Sequence, residues 1–92
     1  MPETLQLLTY DYVPDIVEKR GPHRAGHLDV IARLHADGRI VMAGAVGDPI
    51  HGGLFVCRDV AAADAVVAED PYVAAGLVVS HRVEPWTVVT PL

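Results

Sequence analysis

Arg24-Ala25-Gly26-His27 opens an apolar helical pattern, and far along the chain the sequence reads Glu69-Asp70-Pro71-Tyr72, with Gly76 following. Brought together, these segments supply a cation, an imidazole and a carboxylate, the minimum set for moving a proton. An imidazole free in water titrates at about 6.5, so it can give or take a proton near neutral pH. A carboxylate on one of its nitrogens fixes the tautomer and leaves the other for a substrate. Two readings of His27 are open, a hydrogen-bonded core histidine or an acid–base group, because it sits on an apolar stripe. Asp70 also has two: a cap before Pro71, or the partner that orients His27. The roles coexist if capping uses one oxygen and leaves the second. Arg24 lies one turn before His27 and offers a fork of donors to a substrate carboxylate, or serves as a solvated helix-end cation. Tyr72 either lines a pocket or packs beside Pro71. Gly44, on a later strand, would let a ligand approach the backbone closely.

Other chemical patterns are weaker. His23 and His27 are four apart, a spacing that can hold a metal on one helix face, but no Glu follows His23 and Pro22 disturbs the turn, so no metal site is expected. Gly44-x-x-Gly47 and Gly52-Gly53 are followed by a strand rather than a helix, so they read as turns and not as a phosphate cradle. His35, His51 and His81 are dispersed. Tyr10 and Trp86 either wall a cavity or pack in a core or interface. Cys57 is the single cysteine; it excludes an intramolecular disulfide, suits a reducing cytoplasm and reads as a small buried strand residue.

The elements that must position these residues follow from periodicity and turn chemistry. Leu5 to Tyr12 is a strand with apolar residues at both parities. Asp15 to Arg20 forms a short helical turn, and Gly21-Pro22 interrupts it. The main helix then starts near Pro22, with His27, Val30, Ile31 and Leu34 on one stripe and Gly38 beyond its end. Arg39 to Val46 is a strand with Ile40, Met42 and Val46 on one face and Val41, Ala43 and Ala45 on the other, so both faces require cover. A turn over residues 47–53 returns it to a strand over Leu54 to Arg58. Asp59 caps an Ala-rich helix from Ala61 to Glu69, Asp70 caps a short turn through Ala75, and Leu77 to Trp86 is the last strand, extended by Val88-Val89. The order strand, helix, strand, strand, helix, strand predicts an α+β, ferredoxin-like βαββαβ fold with a four-stranded antiparallel sheet. Both helices lie on one face. The other face is apolar and bare, which predicts sheet-to-sheet dimerisation.

The 92 residues are expected to form a single domain, residues 1–92, that buries only roughly 60% of its unfolded surface. A core this small gains from a second copy. The formal net charge is −5, with scattered Lys and Arg, which argues against nucleic acid and against an anionic membrane. Met1-Pro2-Glu3-Thr4 lacks the features of a signal peptide, and no apolar run approaches a membrane span, so a soluble cytoplasmic protein is expected.

The sequence also resembles the YCII-related (YciI-like) family over nearly its whole length. The resemblance is carried by a Tyr-bearing first strand, Arg24-x-x-His27-Leu28, Gly38-Arg39-Ile40, Ala43-Gly44, Glu69-Asp70-Pro71-Tyr72 and Gly76-Leu77. It implies a dimeric α+β barrel, in which two ferredoxin-like sheets face each other, with His27 and Asp70 as the catalytic pair. It further implies acid–base chemistry without metal or organic cofactor, as elimination, isomerisation or hydrolysis of a small cyclic or aromatic-derived metabolite. Arg24, Tyr72 and Gly44 are then substrate contacts. Ala45 where the family often has Pro, Gly26 before the His, and Trp86 in place of a smaller aromatic alter the expected pocket shape. A non-catalytic dimeric small-molecule-binding or accessory domain is the alternative.

Overall fold

A computed structural model describes residues 3–92. Strand β1 (Glu3–Tyr12) leads through a single turn, α1 (Ile16–Lys19), into the long helix α2 (Gly21–Ala36). Strands β2 (Ile40–Val46) and β3 (Gly52–Cys57) form a hairpin, followed by helix α3 (Val60–Glu69), the short α4 (Pro71–Ala74) and β4 (Val78–Val88). The sheet is antiparallel in the order β2-β3-β1-β4, so the first and third strands sit at its centre. This is the ferredoxin-like α+β arrangement expected from the order of elements.

Local chemistry sets the helix ends. Asp59 accepts a 2.8 Å hydrogen bond from the Ala62 amide at the start of α3. Helix α2 has no side-chain cap and carries Pro22 in its first turn, where a missing N–H costs nothing. Gly38, at φ +83°, closes α2 by turning the chain left-handed, a conformation a side chain would oppose. Arg20 keeps helical angles (φ −71°, ψ −18°) while ending α1 and preceding α2. The Gly21-Pro22 break is therefore slight, and residues 20, 24 and 27 fall on a common stripe.

The main core lies between the sheet and the helices, where Leu8, Tyr10 and Phe55 meet Val30, Leu34 and Val66. Each large apolar side chain buried there contributes about 1.5–3 kcal/mol. The α2 stripe is as expected: His27, Val30 and Leu34 are buried and Ile31 is half-buried. Cys57 is wholly buried, and its burial, reinforced by the Asp59 charge, pushes the thiol up to about 11. It is an inert packing residue.

Two strand expectations are corrected. Gly52 and Gly53 belong to β3 rather than to the turn, because a Cβ on Gly52 would stand 2.5 Å from the Tyr10 carbonyl oxygen and only glycine lets the strands pair there. The register also slips between Ile40 and Met42, with Ile40 opposite Cys57 and Met42 opposite Val56. This bulge reverses the parity of β2. Ile40 packs beneath the helices, Val41 packs on the far side, and Met42 joins it there instead of sharing a face with Ile40.

On the far side Leu5, Val56 and Val88 form a second cluster, flanked by Leu7 and Val41. No helix covers it. Met42 (59%), Trp86 (44%) and Leu54 (37%) are left exposed around it.

Candidate active site

Asp70 leaves α3 with extended angles (φ −72°, ψ 117°) and starts α4 by accepting a 3.0 Å bond from the Tyr72 amide on Oδ1. The capping role is thus real, and it coexists with a second one. The His27 Nδ1 lies 2.8 Å from Oδ1 and 3.0 Å from Oδ2. The Tyr10 hydroxyl donates to Oδ2 over 2.9 Å. All three residues are nearly sealed from solvent, at 0%, 2% and 7% exposure for Tyr10, Asp70 and His27. Three elements, β1, α2 and the α3–α4 junction, therefore converge on one carboxylate.

The donors fix the proton positions. An amide N–H and a phenol both donate to Asp70, so its oxygens act as acceptors and His27 Nδ1 carries hydrogen toward them. In the neutral ring Nε2 then keeps its lone pair. The phenol of Tyr10 is a dependable donor, because burial and the neighbouring Asp70 charge push its pKa far above the ordinary value. Tyr12 is raised too, again chiefly by burial.

The imidazole is held by its faces as well as by its edge. Tyr72 stacks on it at 3.8 Å between centroids with 2° between planes, and Phe55 meets it edge-on at 6.3 Å. Tyr72 is buried and packs with Ile16 and Leu77, so it combines the two readings left open for it. Gly26 allows the close fit of α2 on α4: a Cβ there would stand 2.9 Å from Pro71 Cγ.

A cavity of about 250 Å³ is lined by His27 together with Arg24, Tyr12, Tyr72, Phe55 and the β2 segment Ala43-Gly44-Ala45. Asp70 does not line it. Since Asp70 occupies Nδ1, Nε2 is the nitrogen left for a guest. No buried polar side-chain atom lacks a partner among the described residues, so Nε2 is not sealed away. Arg24 is exposed at the cavity wall, and Gly44 borders it, although a Cβ at 44 would meet only open space. His23 is half-buried, His35, His51 and His81 are exposed, and no three potential metal ligands cluster among the described residues.

A family model described as the YCII-related domain matches residues 4–87, nearly the whole chain. The chain belongs to the YCII-related family. Two solved structures share the fold of this YCII-related protein. One is the 5-chloro-2-hydroxyhydroquinone dehydrochlorinase of Burkholderia phenoliruptrix AC1100, in complex with 2,5-dihydroxybenzoquinone; it aligns at 24% identity with a TM-score of 0.71, covering 89% of this chain and 92% of that one. The other, a protein of unknown function from Nitrosomonas europaea, aligns at 17% identity with a TM-score of 0.51, over 100% and 94% of the two chains. No curated protein matches the chain.

Two residues of this YCII-related site escape a reading of the sequence. Tyr10 is open there to a cavity or core role, and its bond to Asp70 depends on strand register, which apolar residues at both parities do not specify. Arg20, which reads only as the end of a short turn, lines the cavity. Its four-residue spacing from Arg24 is the signal that could have found it. Trp86, by contrast, stands on the far face of the sheet, bordering an apolar groove with Met42 and Leu54.

Proposed function

We propose that this YCII-related protein is a small-molecule enzyme in which His27 transfers a proton through Nε2. The observation that carries this reading is an imidazole held at Nδ1 by a buried carboxylate while its other edge borders a cavity. Asp70 fixes the tautomer and stabilises the imidazolium formed when Nε2 takes a proton. Tyr72 holds the plane of the ring, and Arg24 contacts the substrate beside Gly44. When the base removes an O–H or C–H proton, the freed electron pair can expel a leaving group, giving elimination, or the proton can return elsewhere, giving isomerisation. The shared fold with a dehydrochlorinase supports the first outcome, and the cavity volume suits a single-ring guest. This reading asks for no metal or organic cofactor.

The test compares wild type with His27→Ala and Asp70→Asn on chlorinated hydroxyhydroquinones and on lactones. A fall in turnover of about 10²–10⁴-fold for His27→Ala is expected. Undiminished turnover in both variants would remove the assignment. A second reading has its own observation: Asp70 ties α2 to α4 through His27 and the Tyr72 amide. A non-catalytic binding or accessory domain would need that tie for stability alone. Strong destabilisation of both variants, with no wild-type turnover and no ligand-induced melting shift, would favour it.

The exposed far face supports a homodimer, in which two sheets bury Met42, Leu54 and Trp86 against each other. A second copy there would complete the dimeric α+β barrel that the family resemblance implies.

A further inference from the structure

We propose that the cavity beside His27 selects a planar, single-ring anion whose charged oxygen is gripped by Arg20 and Arg24 together, making Arg20 a specificity-determining residue. This rests on the proposed function only in placing a guest in that cavity, and it stands or falls on binding alone.

The chain carries a formal net charge of −5, yet the cavity lining contains two guanidiniums and no Asp or Glu. Its walls are otherwise aromatic, aliphatic or backbone. A protein that repels anions as a whole has thus made one concave place where an anion is attracted, and low-dielectric walls strengthen that field. Arg33, Arg58 and Arg82 each pair with a carboxylate on the surface, whereas Arg20, Arg24 and Arg39 make no ion pair among the described residues, and of these three Arg20 and Arg24 line the cavity.

Backbone geometry aligns the two arginines with the base. Arg20 keeps helical angles across the α1–α2 junction, and the His23 amide donates to the Arg20 carbonyl over 2.9 Å, so the turn continues. Arg20, Arg24 and His27 therefore follow one another at i, i+4 and i+7 on one face. Burial raises the Tyr72 pKa, and the charges of Arg20 and Arg24 at the same cavity oppose that rise in part. That phenol, stacked on His27, ties the cationic end of the cavity to the imidazole. An anionic oxygen held by the guanidinium forks places the ring among the aromatic walls and beside Nε2. Negative charge that builds on such an oxygen during proton removal would be stabilised by the same pair.

Binding can be read by calorimetry with probes matched in shape and differing in charge: benzoate against benzamide, and 4-nitrophenolate against 4-nitroaniline at a pH where the phenol is ionised. At least one anion should bind about tenfold tighter than its neutral partner. A carboxylate preference or a phenolate preference would identify which oxygen the arginines favour, and either supports the proposal. Arg20→Gln and Arg24→Gln should each weaken the anion about five- to tenfold and leave the neutral probe unchanged, while Arg20→Lys recovers part of the loss. Arg58→Gln, on the surface, should change neither. Equal affinity for charged and neutral probes, binding of none of them, or anion affinity indifferent to Arg20 would overturn the proposal. His27→Ala separates it from the proposed function, since that variant should lose turnover and still bind the anion.

Discussion

Tyr10→Phe tests the buried network most directly, because it removes one hydroxyl and little else. In the native chain that hydroxyl donates over 2.9 Å to an Asp70 that is 2% exposed. A hydrogen bond to a charged group is worth about 1.5–3 kcal/mol, and no water can replace it at a sealed site without rearrangement. For a chain of this length that loss lowers the melting temperature by roughly 8–15 °C. The pH dependence supplies an internal control. Burial raises the Tyr10 pKa in the folded protein far above its ordinary 10.0, so above that pH the unfolded chain releases a proton that the folded one keeps. The folded state then binds more protons, and the Tyr10 contribution to stability, complete below pH 10, falls by about 1.4 kcal/mol per pH unit above it. A phenylalanine at this position has no proton to release and no such slope. Urea titrations of both proteins at pH 8 and above should therefore give a stability difference that is constant up to about pH 10 and nearly gone one to two units higher. Equal melting temperatures with parallel alkaline slopes would refute the network.

Three further outcomes are expected. Gly26→Ala places a Cβ 2.9 Å from the Pro71 ring, so α2 must move off α4; a stability loss of about 1–3 kcal/mol with a weakened His27–Asp70 contact should follow, read by melting and by the imidazole NMR resonances. Asp59→Ala removes the 2.8 Å cap of α3 and should cost about 1 kcal/mol in chemical denaturation while leaving ligand binding alone. Trp86→Glu puts a charge on the exposed apolar face and should halve the mass seen by sedimentation if two sheets meet there; a wild-type monomer, or a variant of unchanged mass, would disprove that contact.

Much of this is legible in the chain. The His27 stripe, the Asp59 and Asp70 caps and the glycine at the end of α2 are local patterns, and local patterns survive folding because they act over a few residues. The pairing of His27 with Asp70 is readable only through the family resemblance, since no spacing rule links the end of one helix to the start of another. What stays hidden is register. Ile40-Val41-Met42 is a run of apolar residues in which a bulge changes no residue type, so its reversal of parity leaves no mark in the sequence. Tyr10 shares this difficulty, because Leu7 and Leu8 are both apolar and either face of β1 is a candidate for the core. Arg20 is obscured differently: Pro22 suggests a sharper break than one at the first turn of a helix requires.

The bulge in β2 has a consequence for how such a protein can diversify. Beyond it, Ala43 and Ala45 lie opposite Phe55 and Gly53 and Gly44 opposite Leu54, so a side chain at 43 or 45 points to the helix side and one at 44 to the outer side, while the backbone of all three borders both the chamber beside His27 and the outer groove. The strand is a partition one backbone thick with an alternating address. Enlarging residue 43 or 45 narrows the chamber and leaves the outer surface as it was; enlarging residue 44 roughens the outer surface and spares the chamber. Guest selection and self-association can thus drift separately across neighbouring codons.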